Sequence, residues 1–291
     1  MKPAPFGYAD PTSVGEALDV LTAEGAGAKV LAGGQSLLPL LSMRLAAPTT
    51  LVDINRVPGL DRISADPDGV RVGALVRHAG LLAAADAAAV QPLLARATAH
   101  VAHPAIRNRG TTVGSIAHAD PSGEMTAVLA LTDGAVTVMT PEGPSTVGWR
   151  DLFVGPLETS VHGPAVVVDA FFPALPSRSG TAFAEVARRR GDYAVCGAAV
   201  VVTLDEDHRV AAALAAYLSV GPVPEVHDLT DAVGGKPVDS ADWAAAGDLA
   251  RGLVEPDGDL HASAAYRRLL VATLTERTLA DAAAEAVGRT A

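Results

Sequence analysis

Apolar positions recur at helical spacing at Val14, Ala17, Leu18 and Leu21, behind a start signal at Asp10-Pro11-Thr12 and ahead of Gly25-Ala26-Gly27. Residues 29–32 form a short apolar run bounded by glycine, which reads as a buried strand. After Gly33-Gly34 a second helical pattern runs over 36–45, and 50–54 reads as another strand, giving a β-α-β-like unit. From Pro58 the pattern changes. Residues 61–65 and 70–74 flank the turn sequence Asp66-Pro67-Asp68-Gly69 and predict a hairpin. Alanine-rich helical stretches occupy about 79–102, and 125–131 reads as the end of a further helix. Strand patterns return at Ala135–Thr140 and 165–172, so this middle portion reads as α+β with a mainly antiparallel sheet. The segment 173–180, with its prolines, serines and glycine, breaks both periods. Beyond it come strand patterns at 183–187, Ala194–Leu204 and 211–220, then two helical segments, the longer over about 261–287.

Composition narrows the function. The 291 residues have room for two domains. A formal net charge of −11 argues against nucleic acid, because a phosphate-tracking groove needs clustered Lys and Arg, and the only dense basic run is Arg188-Arg189-Arg190. No apolar stretch reaches the ~18 residues of a membrane span. The opening Met1-Lys2-Pro3-Ala4-Pro5-Phe6 lacks the pattern of a signal peptide, and one cysteine allows neither an internal disulfide nor a complete thiolate cluster site on this chain. A cytoplasmic protein is expected.

Three segments carry candidate chemistry. In Ala32-Gly33-Gly34-Gln35-Ser36, two glycines between strand and helix let backbone N–H groups approach an anion such as a pyrophosphate, though taken alone the fragment reads better as an ordinary strand-to-helix turn. No G-x-G-x-x-G follows a strand and no Walker-type Gly-Lys-Ser/Thr occurs. Thr111-Thr112-Val113-Gly114-Ser115 offers hydroxyls and open backbone, and Asp120-Pro121 reads as a helix cap with Glu124 one turn in. Tyr193 follows a tight Gly191-Asp192 turn, placed either to cover a flat ring or simply to pack. His100, His103 and His118 raise a metal site as a minor reading, and Cys196 reads as a buried, inert thiol.

In this order and at these separations the segments resemble the FAD-binding medium subunit of molybdenum hydroxylases, the family of aerobic carbon monoxide dehydrogenase and xanthine dehydrogenase FAD subunits. The likeness extends to Leu51-Val52-Asp53-Ile54, to His103-Pro104-Ala105-Ile106-Arg107-Asn108-Arg109-Gly110, and to the run from Asp259 to Arg268. It implies an α+β protein: a p-cresol methylhydroxylase-type two-subdomain FAD domain over 1–173, then a smaller α+β domain over 178–291 with a three-stranded antiparallel sheet plus helices. It implies that Ala32, Gly33, Gly34, Gln35 and Ser36, with Thr111, Thr112, Val113, Gly114 and Ser115, hold the FAD pyrophosphate. Asp120 and Glu124 would meet its sugar-like portion and Tyr193 its ring. Val113 stands where the family usually has glycine, which leaves its backbone conformation open. The implied role is electron transfer without a catalytic base or nucleophile, and without a metal on this chain. Electrons would come from 2Fe-2S clusters of a small subunit, the molybdopterin cofactor would sit in a large subunit, and an external acceptor would receive them, at the inner face of the membrane in one variant. A self-sufficient FAD-dependent oxidase of the same fold is the alternative, and a metal-dependent hydrolase using the three histidines a more distant one.

Overall fold

The computed structural model describes residues 2–290. The β-α-β unit forms as the pattern predicts. Strands Ala28–Leu31 and Thr50–Asp53 pair in parallel, with helix Leu37–Met43 between them in sequence, and Gly7–Ala9 joins the free edge of Thr50–Asp53, also in parallel. Helix Val14–Glu24 buries Ala17, Leu18 and Leu21 in the core. It begins later than Asp10 suggested, because Ser13 is the cap. The Ser13 hydroxyl accepts from the Glu16 N–H while the Glu16 carboxylate accepts from the N–H and hydroxyl of Thr12.

A five-stranded antiparallel sheet follows, in the order Ile63–Asp66, Gly69–Gly73, Val166–Pro173, Ala135–Thr140, Gly143–Gly148. The expected hairpin is present, with Ile63 opposite Val72 and Asp66 opposite Gly69. The alanine-rich stretch divides into three short helices, His78–Leu82, Ala85–Val90 and Pro92–Thr98. Proline explains one break: it lacks an N–H and pushes the preceding residue out of the helical region, and Gln91 indeed sits at φ −136°, ψ 89°.

The third sheet is antiparallel, in the order Ser179–Ala187, Ala194–Leu204, Val210–Leu218, Val226–Asp228. The three expected strands are joined by a short fourth at one edge. Alternation along Ala194–Leu204 places Cys196, Ala198, Val200, Val202 and Leu204 in one core with Val271, Leu274 and Ala282 of helix Ala264–Thr290. Ala199 and Val201, on the opposite face, join the core that contains Met125, Val128 and Leu129. This strand is therefore covered on both sides, which is why its sequence is apolar throughout. Helix Glu124–Leu131 is buried from Met125 to Leu131 and accordingly shows no polar stripe. A polar clamp crosses the same seam. The Arg96 guanidinium donates to both Glu285 carboxylate oxygens at 2.6 and 2.9 Å and to the Thr181 hydroxyl at 2.5 Å, and the Thr181 N–H donates to Glu285 at 2.7 Å. Among the described residues no helix is long and apolar enough to cross a membrane.

Candidate functional site

The two glycine-containing segments, far apart in sequence, meet in space. A Cβ built on Gly33 would lie 2.5 Å from the Arg109 carbonyl oxygen and 2.8 Å from the Gly110 Cα, so only glycine lets the backbones come this close. Gly34 adopts φ +73°, the left-handed region, and turns the chain from strand into helix Leu37–Met43. The Gln35 side chain folds back and donates to the Gly33 carbonyl at 3.0 Å. The second segment is pinned from behind. His78 donates its N–H to the Gly110 carbonyl and Thr112 donates its N–H to the Val76 carbonyl.

Two residues not singled out in the sequence lock these segments together. Asn55 donates to the Ala32 carbonyl at 2.8 Å, Arg77 donates to the Asn55 side-chain oxygen at 2.5 Å, and the same guanidinium donates to the Arg109 carbonyl at 2.6 Å. Burial, and then the positive charge of Arg109 nearby, lower the Arg77 pKa. Two guanidiniums therefore stand near the cradle, where the sequence had offered backbone N–H groups and hydroxyls. No local motif signals Asn55 or Arg77, because each acts through a partner more than 20 residues away.

Thr111 is the N-cap of helix Thr112–His118, and its hydroxyl accepts from the Gly114 N–H at 3.1 Å. Val113 is thus an ordinary helical residue, buried in the core, and none of the left-handed strain open to a β-branched residue arises. Ser115 lies on the same short helix, half-buried. Ser36 precedes helix Leu37–Met43 without a side-chain capping bond.

At the far end of helix Thr112–His118, about 10 Å along its axis, the chain reaches Asp120. Here the sequence reading needs correction. Asp120 does not cap the next helix; its carboxylate accepts from the Ser122 N–H at 2.8 Å in a local turn, Gly123 is the cap, and Glu124 is the first helical residue. Pro121 cannot open a helix here because its carbonyl is committed to the Ser219 N–H at 2.9 Å. Burial pushes the Glu124 carboxyl up to about 7, with Glu185 and Asp120 adding repulsion and His100 opposing it.

Asp120 and Tyr193 line a cleft of 570 Å³ that also takes in Ser122, Ser219 and Arg267. Tyr193 is 69% exposed. Its phenol is pushed upward by loss of solvent and by the carboxylates of Asp120 and Glu124. Its turn is seated on His103: a Cβ on Gly191, at φ +83°, would lie 2.6 Å from the His103 Nδ1. Arg267 fixes the opposite wall, donating to Asp259, to the Asp257 carbonyl and to the Val195 carbonyl at 2.7, 2.6 and 3.1 Å. That accounts physically for part of the 259–268 run.

The three histidines do not converge. His103 supports the Gly191 turn, His100 stands 3.4 Å from Glu185 Oε1, and His118 ends its helix. Cys196 is fully buried, and burial pushes its thiol up to about 12.

Residues 4–175 match the family described as the FAD binding domain in molybdopterin dehydrogenase, and 181–282 match the CO dehydrogenase flavoprotein C-terminal domain. The chain is 41% identical to the 6-hydroxypseudooxynicotine dehydrogenase complex subunit alpha of Paenarthrobacter nicotinovorans, over 97% of this chain and 96% of that one. It is 38% identical to the nicotine 6-hydroxylase medium subunit of the same organism, over 98% and 99%. Among solved structures, quinoline 2-oxidoreductase from Pseudomonas putida 86 superposes with a TM-score of 0.92 at 36% identity, covering 98% of this chain and 99% of that chain. Gly33 brings the bare backbone of two segments together, and backbone N–H groups so gathered suit a dinucleotide's phosphates. The chain belongs to the FAD-binding medium-subunit family of the molybdenum hydroxylases, as an oxidoreductase subunit.

Proposed function

We propose that this chain carries FAD between two partner subunits' chemistry and an external electron acceptor. Electrons arrive from the 2Fe-2S clusters of a small subunit, after a substrate has been hydroxylated at the molybdopterin cofactor of a large one. When bound, FAD supplies the exchange between single-electron delivery and two-electron release. The observation that supports this most is the closure of Gly33 onto Arg109 and Gly110, which makes one cradle of two segments.

In that cradle Gly33, Gly34 and Ser36, with Thr111–Ser115 opposite, meet the pyrophosphate through N–H and hydroxyl groups. Asn55 and Arg77 keep the two sides in register. Asp120 and Glu124 face the sugar-like chain, and Tyr193 lies beside the ring. The cofactor-binding domain ends near 173 and the second domain begins near 178. Three of the relatives are named for nicotine derivatives and quinoline, so the complex's substrate is read as an N-heterocycle.

The test is reconstitution. The purified chain should bind one FAD yet leave nicotine and quinoline unoxidised, and its FAD should bleach on adding an N-heterocycle only with both partners present. Rapid oxidation by the chain alone would establish the self-sufficient oxidase instead, and a chain that takes up no FAD would end both readings.

A further inference from the structure

Asn55 can tie the cradle together in only one orientation of its amide. Its Nδ2 faces the Ala32 carbonyl at 2.8 Å and its Oδ1 the Arg77 guanidinium at 2.5 Å. Turned over, the amide would set its NH2 against a cation and its oxygen against a carbonyl, and both bonds would be lost. Asp53 prevents this. Its Oδ1 accepts from the Asn55 Nδ2 at 2.5 Å and from the Asn55 backbone N–H at 2.9 Å. A carboxylate can only accept, so it selects the NH2 end of the amide. Both hydrogens of that NH2 and the amide oxygen are then engaged.

Asp53 is in turn held from outside. Strand Gly7–Ala9 lies against Thr50–Asp53 with Tyr8 opposite Leu51, and the Tyr8 phenol reaches along the strand to donate to Asp53 Oδ2 at 2.6 Å. One carboxylate oxygen thus takes the phenol and the other takes Asn55. Burial works against ionisation of Asp53, but hydrogen bonds from Tyr8 and Asn55, and the charge of Arg77, outweigh it and lower its pKa. An unbroken path therefore runs from Tyr8, 60% exposed, through Asp53 and Asn55 to the Ala32 carbonyl, and through Arg77 to the Arg109 carbonyl. Charge gives no reason for a carboxylate here. Near a site for pyrophosphate, Coulomb repulsion alone would count against it.

We propose that Asp53, held by Tyr8, is a positioning residue for the cofactor: it fixes the Asn55 amide in the orientation that ties Ala32 to Arg77. The N-terminal strand thereby governs how well the two sides of the cradle stay in register. This rests on the reading of the segments around Gly33 and Thr111 as the FAD cradle, and the experiment separates the two.

The full chain without FAD serves for two measurements. Titrated with FAD and followed by quenching of flavin fluorescence, Asp53→Ala should bind about tenfold more weakly than the parent, the effect of one or two lost hydrogen bonds. Asp53→Asn should recover affinity to within about twofold, because its side-chain oxygen still accepts from Asn55. Charge alone predicts otherwise: both variants lose the same carboxylate, so both would bind FAD equally and more tightly. Tyr8→Phe, at an exposed side chain, should weaken binding about threefold, and it carries the test if Asp53→Ala does not fold. In an Arg77→Lys background, where the tie is already broken, Asp53→Ala and Tyr8→Phe should add almost nothing, whereas a loss of local stability would add in full. The second measurement needs no FAD. The NMR signals of the Asn55 side-chain NH2, identified by their absence in Asn55→Ala, should exchange with water about tenfold faster in Asp53→Ala than in the parent. Signals that do not respond overturn the proposal. So do equal affinities in the two Asp53 variants while Arg77→Lys binds weakly, or losses that add in full to that of Arg77→Lys. Faster exchange in Asp53→Ala, with FAD bound equally by the parent, Asp53→Ala and Arg77→Lys, removes these segments from the FAD site instead.

Discussion

The Arg109 carbonyl oxygen stands 2.5 Å from where a Cβ on Gly33 would be, and Arg77 donates to that same carbonyl at 2.6 Å. A backbone atom pinned in this way cannot retreat. Gly33→Ala should therefore separate the two segments, cost about 1–3 kcal/mol of stability, and lower the FAD recovered per chain several-fold. The flavin-to-protein absorbance ratio of the purified variant measures this, and full loading would show that the cradle tolerates a side chain.

Behind the same segment His78 is buried, and burial brings its pKa down to about 4. An unfolded histidine titrates near 6.5. The folded state thus binds fewer protons between these values, so stability is lost as pH falls from about 6.5 towards 4, by about 3 kcal/mol at the limit. Urea unfolding of the parent should show that acid limb. His78→Gln should flatten it, and an identical slope in the two proteins would count against a buried neutral imidazole.

The Arg96–Glu285 clamp predicts a different acid limb. Burial works against ionisation of Glu285, but hydrogen bonds from Arg96 and the Thr181 N–H outweigh it and lower its pKa. A carboxyl with a depressed folded pKa stabilises above its unfolded value, about 4.3, and that stability disappears as pH falls through the folded value. The Arg96 side chain is 37% exposed, so solvent screens part of the effect. Arg96→Met should cost about 1–2 kcal/mol at pH 7 and much less at pH 3. A cost that does not change with pH would assign the clamp to packing alone.

Much of this architecture is legible in the chain because its elements bury one repeating face. Ala17, Leu18 and Leu21, the hairpin across Asp66–Gly69, and the strand Ala194–Leu204 all follow from period and turn chemistry. Boundaries suffered where a local signal competed. Asp120-Pro121 has the look of a helix start, yet Gly123 caps, since the Pro121 carbonyl is bound to the N–H of Ser219, just beyond the distant strand Val210–Leu218. Asn55 and Arg77 were illegible because their roles exist only once remote segments meet.

Cys196 lies on the second-core face of its strand, fully buried, with its thiol pushed up to about 12. Only the thiolate reacts, and at pH 8 about one thiol in ten thousand would be ionised. A soluble disulfide reagent should label none of the native chain over an hour and one equivalent in denaturant. Prompt native labelling would mean that the Ala264–Thr290 helix opens from the sheet far more often than its packing implies.

Arg77 offers the sharpest test of the cradle, because it joins two acceptors that lysine cannot span. Its guanidinium reaches the Asn55 side-chain oxygen and the Arg109 carbonyl together, at 2.5 and 2.6 Å. A lysine ammonium keeps the positive charge but is a single point on a flexible stem, so it satisfies one partner or the other. Arg77→Lys should leave the third sheet and the Arg96 clamp untouched, and thermal unfolding should change by about 1 kcal/mol. FAD affinity should fall roughly tenfold to a hundredfold, the effect of one or two lost charge-assisted hydrogen bonds. Because the charge is retained, the salt dependence of FAD binding should not change. If affinity is preserved, attraction to the phosphates is Arg77's main contribution, and Asn55 alone holds Ala32 in place. If affinity falls and the salt dependence changes with it, charge and geometry act together, and the further loss in Arg77→Met over Arg77→Lys then measures the part due to charge.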